Sequence, residues 1–185
     1  TVDNATLTGT VKYGSSHMLS GVAVSVQIYN ASAAIETEKV TTVVSTITDA
    51  NGDYLMFLPP GTYNLVVVAD GYATSSRPIT VEYDKEYTEN FTLTATTMGI
   101  LTVALNLPAG TSGDVATIEF RQPPSYDATR QITVKILNYA ETGYYPVDLP
   151  VGTYTVVATY LDAIITVNDV EVVETGTSVD IDFTP

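Results

Sequence analysis

His17 is the single histidine of the chain, and Ser15, Ser16 and Ser20 lie close to it in sequence. A serine nucleophile needs an imidazole to take its proton and an acid to orient that imidazole. The run Gly14-Ser-Ser-His17 supplies hydroxyls and a base, but no orienting acid or nucleophile-elbow pattern accompanies it. It reads as a solvated turn, and no catalytic residue is assigned. Asp49-Ala-Asn51-Gly52-Asp53 alternates oxygen-bearing side chains as a calcium loop does. An EF-hand loop opening at Asp49 requires glycine at its sixth position and glutamate at its twelfth, and Tyr54 and Pro60 stand there instead. That segment reads as a hairpin turn. One histidine without any cysteine does not make a zinc site. Neither a metal nor a cofactor is expected.

Thirteen tyrosines without a single tryptophan leave room for a weak sugar-binding surface. Tyrosines on strands more often bury the ring and hydrogen-bond the hydroxyl. Tyr144 and Tyr145 point to opposite faces of a strand, so one of them faces solvent. Ligand contact is placed at Tyr126 and Tyr144. Asn4-Ala-Thr, Asn30-Ala-Ser and Asn90-Phe-Thr fit the glycosylation pattern, which arises easily in a threonine-rich chain.

Charge narrows the partners. The chain carries a net −14, and residues 1–95 hold 4 basic and 10 acidic side chains against 3 and 11 afterwards. The acidity is therefore spread over both halves. Phosphate backbones and anionic membrane surfaces are repelled, so nucleic acid is excluded as a partner. No apolar run reaches the roughly 18 residues that a membrane span requires. The chain opens at Thr1 rather than Met, which suggests a mature or trimmed product whose export signal has been removed, hence an extracytoplasmic location.

The elements that position these groups are strands. Leu7, Gly9, Val11 and Tyr13 share one face against Thr6, Thr8, Thr10 and Lys12. Val22, Val24, Val26 and Ile28 alternate with Ala23, Ser25 and Gln27. Val179, Ile181 and Phe183 alternate with Ser178, Asp180 and Asp182. Period-two patterning with one wet face predicts antiparallel sheets packed as a sandwich. Strands are expected near 6–13, 21–29, 40–48, 53–58, 62–69, 78–83 and 88–95, then 99–107, 115–121, 131–138, 143–149, 152–160, 163–173 and 177–183. Turn residues separate them, among them Asn51-Gly52, Asp70-Gly71 and the run 110–113. Residues 30–39 fit either a short helix or a mobile loop.

Leu58-Pro59-Pro60-Gly61-Thr-Tyr63 returns as Leu149-Pro150-Val-Gly152-Thr-Tyr154, offset by 91 residues. That echo divides the chain into two β-sandwich domains, 1–96 and 97–185, joined by the short linker 94–99 and expected to form a semi-rigid rod. Proline presets φ in the turn and glycine supplies a conformation that other residues resist. Gly52, Pro59, Gly61, Tyr63, Pro150, Gly152 and Tyr154 are thus assigned to hairpin geometry rather than to a site.

Gly9-Thr-Val11, Leu19-Ser-Gly21-Val22-Ala-Val24, Thr48, Asn51-Gly52-Asp-Tyr54, the Leu58–Tyr63 motif and Gly71-Tyr72 together resemble a carboxypeptidase regulatory-like domain, a transthyretin-like (prealbumin-like) seven-stranded sandwich. The resemblance spans nearly all of residues 5–95. The second half shares the hairpin motif and the final strand but lacks the Leu-x-Gly-Val and Gly-Tyr signatures, so it is a looser relative. Such modules are typically non-catalytic accessory units of secreted, periplasmic or surface proteins. Related pilin and adhesin sandwiches can carry a lysine–asparagine isopeptide bond, and Lys12 with Asn90 would be the pair here. The acid that bond requires is missing from Leu65-Val-Val-Val68, so it is expected to be absent. The resemblance implies a structural or interaction module that presents end loops or edge strands to an envelope or extracellular partner. A carbohydrate- or peptide-binding accessory role is the alternative, and a hydrolase the least favoured.

Overall fold

A computed structural model describes residues 3–110 and 113–185. The turn expected at 110–113 lies partly outside these residues. The fold is all-β, and the one helical element among the described residues is a single 3-10 turn at Glu36–Glu38. Two compact units are formed. One comprises Thr1–Ser32, Lys39–Ala95 and Pro123–Ile132; the other comprises Ala33–Glu38, Thr96–Gln122 and Thr133–Pro185.

In the first unit β1 (Ala5–Tyr13) is central to one sheet. It pairs antiparallel with β5 (Asp53–Leu58) and with the two-residue β2 (His17–Met18). It also pairs parallel with β8 (Glu86–Thr88) and β9 (Phe91–Leu93). The second sheet has the order β4 (Val40–Ile47), β3 (Ala23–Tyr29), β6 (Gly61–Val68), β7 (Ser75–Val81). Leu7, Val11, Val24, Val26, Met56 and Leu65 anchor its core. β-Branched and aromatic residues fill these strands because they pack well on a pleated, half-buried surface.

In the second unit β10 (Met98–Asn106) repeats the role of β1. It pairs antiparallel with β13 (Gly143–Pro150) and parallel with β16 (Thr177–Asp182). The other sheet has the order β12 (Ile132–Tyr139), β11 (Ala116–Gln122), β14 (Gly152–Tyr160), β15 (Ala163–Val172). Leu101, Val103, Ile118, Phe120, Val156 and Ile181 are buried here.

Three expectations are corrected. The strand expected at 88–95 is two short strands, broken at Glu89-Asn90. The Glu89 amide still donates to the Thr8 carbonyl at 2.9 Å, but the Glu89 carbonyl accepts the Tyr54 hydroxyl at 2.6 Å and Asn90 Oδ1 accepts the Thr10 amide at 3.0 Å, so side chains take over part of the ladder there. The inward row of β3 ends at Val26: Ile28 is 41% exposed and Gln27, from the opposite row, is buried. The register against β4 slips at this point, leaving Val43 as an extra residue. Tyr13, grouped with the inward row of β1, is 43% exposed at the strand's end.

Candidate functional site

β1 ends at Tyr13, and three residues return the chain to His17, its cross-strand partner. Gly14 makes this hairpin possible with φ of 62°. The Lys12 ammonium donates to the Ser15 carbonyl at 3.3 Å. Tyr72 reaches the same place from a turn in which its amide donates to the Ala69 carbonyl at 3.2 Å. A bridge between Tyr72 and Ala95 fixes the backbone there. The rings of Tyr13 and Tyr72 meet with centroids 5.4 Å apart and planes inclined by 59°.

Tyr13, Ser15, Ser16, His17 and Tyr72 line an open cleft of about 380 Å³. Its two inclined aromatic faces offer stacking surfaces, and its hydroxyls and imidazole offer hydrogen bonds. Ser15, Ser16 and His17, read from the sequence as a solvated turn, line this cleft together with two tyrosines, and Ser20 is not in its lining. No carboxylate is in the lining. An imidazole and hydroxyls without an orienting acid do not make up the triad. Tyr72 went unlinked because 55 residues separate it from His17; the Gly71-Tyr72 signature was the available signal.

A second, smaller cleft of about 300 Å³ is lined by Thr8, Thr10, Asp53, Thr88 and Asn90 over the Gly9–Tyr54 pair. Its floor is structural. Burial, and secondarily the nearby Glu89 carboxylate, push the Tyr54 phenol well above the usual tyrosine range, against an opposing Arg77. Arg77 pairs with Glu89 at 2.7 Å and lies 4.0 Å over the Phe91 ring.

The echoed motif forms the same turn twice. Tyr63 donates to the Pro59 carbonyl at 2.7 Å, and Tyr154 donates to the Pro150 carbonyl at 2.7 Å. In the first copy the hydroxyl passes over Gly61, where an added Cβ would meet it at 3.0 Å. In the second, Gly152 adopts φ of 149°. A third instance escaped sequence reading: Tyr145 donates to the Glu141 carbonyl at 2.7 Å across Gly143. Gly61, Gly143 and Gly152 share a Gly-x-Tyr spacing, which is not sufficient by itself: Gly52-Asp-Tyr54 has it too, and Tyr54 donates instead to the Glu89 carbonyl at 2.6 Å. Gly52 has φ of 77°, and a Cβ there would lie 2.7 Å from the Val11 carbonyl.

The tyrosines proposed for ligand contact are in different surroundings. Tyr126, in the first unit, is 38% exposed and donates its hydroxyl to Asn64 Oδ1. Tyr144, in the second unit, is 80% exposed on the outer face of β13. Tyr145 stacks on Tyr139 with centroids 3.8 Å apart. The calcium-like loop is an Asx turn, in which Asp49 Oδ1 accepts the amides of Asn51 at 2.8 Å and Asp53 at 3.0 Å. No group of three or more metal-ligating side chains occurs among the described residues. Asp182 accepts the Thr184 hydroxyl at 2.6 Å and amide at 2.9 Å, which hold its carboxyl below the usual range. Among the described residues no helix is long and apolar enough to cross a membrane.

Residues 6–94 match the carboxypeptidase regulatory-like domain. No curated protein matches the chain. Among solved structures, the chain is similar to the Bacillus anthracis TIE protein at 16% identity, covering 97% of this chain and 34% of that one, with a TM-score of 0.40. The Streptococcal ancillary pilin is 15% identical, with 98% and 63% covered and a TM-score of 0.38. The shaft pilin spaA from Lactobacillus rhamnosus GG is 12% identical, with 97% of each chain covered and a TM-score of 0.37. Acinetobacter radioresistens catechol 1,2 dioxygenase is 15% identical, with 52% and 53% covered and a TM-score of 0.40. The chain therefore spans from a third to under two thirds of the first structures it resembles.

Proposed function

We propose that the chain is a non-catalytic structural and interaction module of an exported or surface protein, holding its partner at end loops of the first unit. The observation that carries this reading is the cleft at Tyr13, Ser15, Ser16, His17 and Tyr72, whose lining offers stacking and hydrogen bonding without a carboxylate. Loops placed by a rigid sheet scaffold are where binding residues concentrate. The match of residues 6–94 supports an accessory rather than a catalytic role. The partner is a protein or glycan of the envelope or extracellular space.

A saccharide is the second reading, favoured by the inclined Tyr13–Tyr72 pair beside hydroxyl groups. Saturable binding on a glycan array, lost in Tyr72→Ala, selects the saccharide. A photo-crosslinking residue at position 72 that captures an envelope protein, with a silent array, selects the protein. Turnover of a small ester or amide that disappears in His17→Ala overturns both.

A further inference from the structure

We propose that β5 pairs edge to edge with β5 of a second copy of the chain. β5 ends its sheet, with β1 on one side. Hydrogen-bonded and non-hydrogen-bonded pairs alternate along an antiparallel ladder. The Val11 amide donates to the Gly52 carbonyl at 2.9 Å in this register. The hydrogen-bonded pairs that follow are Gly9 with Tyr54, Leu7 with Met56 and Ala5 with Leu58. The N–H and C=O of Leu55 and Phe57 therefore point away from β1, to the free edge; those of Asp53 turn the same way but are held by Asp49, whose Oδ1 accepts the Asp53 amide at 3.0 Å and whose amide donates to the Asp53 carbonyl at 2.9 Å.

Edge strands are normally obstructed by proline, charge, bulges or brevity. The corresponding edge of the second unit, β13, illustrates this. The Val151 amide donates to the Thr97 carbonyl at 3.0 Å, so the same alternation turns Tyr144, Pro146, Asp148 and Pro150 to its free edge. Two of these four have no N–H to offer. Elsewhere β7 contains Pro78, β4 bulges at Val43, and β15 bulges beside Asp169, which has φ of 57°. β12 carries Lys135 and β16 carries Asp180 and Asp182. β8 and β9 are three residues each. From Tyr54 to Leu58, β5 has no proline, charge or bulge.

The occupant follows from the side chains. Leu55 is 50% and Phe57 56% exposed, on one face with their partners Thr8 and Thr6. A two-fold axis at Met56 sets Leu55 opposite Phe57 of the second copy, and Phe57 opposite its Leu55. Both are then hydrogen-bonded positions, and the aliphatic–aromatic contact is made twice. Asp53 falls opposite Pro59, whose missing N–H ends the ladder without setting like charges face to face. The net charge of −14 opposes association, so the dimer strengthens as salt rises.

The inference is independent of the end-loop cleft, and a failure of either leaves the other standing. Sedimentation velocity on the complete chain, over a concentration series at low and raised salt, tests it. A salt-strengthened dimer is expected, with the Leu55 and Phe57 amides becoming protected from hydrogen exchange as concentration rises. Leu55→Pro copies the proline guard of β13 at an amide that β1 does not use, and Phe57→Lys places charge on the seam. Each weakens the dimer at least about tenfold, with unchanged circular dichroism, while Tyr144→Lys on β13 leaves it intact. A chain that stays monomeric at raised salt, or a dimer unaffected by both β5 substitutions, overturns the proposal.

Discussion

The hydroxyl of Tyr154 donates to the carbonyl of Pro150, 2.7 Å away and four residues back, and both residues are buried. Tyr63 makes the same 2.7 Å bond to Pro59, but that proline is exposed. Geometry is shared and solvation is not. A carbonyl stripped of its partner in the interior loses a bond that water cannot replace. Tyr154→Phe should therefore destabilise the protein by about 1–3 kcal/mol, and Tyr63→Phe by about 0.5–1.5 kcal/mol. Urea denaturation of the two variants measures the difference; equal losses would show that burial of the carbonyl is immaterial.

High pH should unfold the chain through its buried phenols. Burial pushes both Tyr54 and Tyr154 above the usual tyrosine value of about 10. Between that value and the raised folded-state value, the folded protein binds more protons than the unfolded one. Their contribution to stability is thus complete below about pH 10 and is lost as pH rises toward the folded value. Absorbance at 295 nm should show a tyrosine ionisation step that coincides with loss of structure. Tyr54→Phe combined with Tyr154→Phe should reduce the amplitude of that step; an unchanged amplitude would show that these two phenols do not take part in it.

Gly9 should tolerate no side chain. A Cβ at this position would lie 1.8 Å from the Glu89 carbonyl and 2.6 Å from the Tyr54 ring. The carbonyl is backbone, and the ring is fixed by its own hydrogen bond, so neither can yield cheaply. Gly9→Ala should cost about 2–4 kcal/mol. Gly14→Ala meets nothing within 4 Å and is strained only by φ of 62°, so about 1–2 kcal/mol is expected. Thermal melts of the two variants compare steric with conformational strain.

Sheet organisation was legible where the residues that decide it are neighbours. Leu7 and Val11 alternate with Thr6, Thr8 and Thr10, and the pleat turns that alternation directly into a buried face. The break at Glu89-Asn90 was not legible, because it depends on a hydroxyl from Tyr54, 35 residues away. The cleft was half legible for the same reason. Gly14-Ser-Ser-His17 announces a polar turn, whereas the second aromatic wall, Tyr72, is brought there by the turn after β6. Arg121 closes an expected strand and gives no local sign of burial; its partners are set by the tertiary fold.

Arg121 should be the most sensitive charged position. Its side chain has no solvent exposure and lies within the second unit. It donates to both oxygens of Glu119, at 2.9 and 3.1 Å. It also donates to the Glu36 carboxylate at 3.2 Å and the Glu36 carbonyl at 3.0 Å. Thr133 donates its hydroxyl to Glu119 as well. The 3-10 turn Glu36–Glu38 is thereby tied to β11. A buried ion pair carries a large desolvation term, so the intact group contributes little beyond a neutral replacement, but removing one member strands the rest. Arg121→Met should cost about 3–5 kcal/mol. Arg121→Lys should recover only part of this, because an ammonium cannot reproduce the planar fork on Glu119. Combining Arg121→Met with Glu119→Leu and Glu36→Ala should restore most of the loss, since no charge is then left unpaired. Hydrogen exchange separates stability from tethering: amides within Ala33–Glu38 should exchange faster in the triple variant even where urea denaturation finds its global stability near that of the parent. Protection there equal to that of the parent protein would mean that packing, not Arg121, holds the turn.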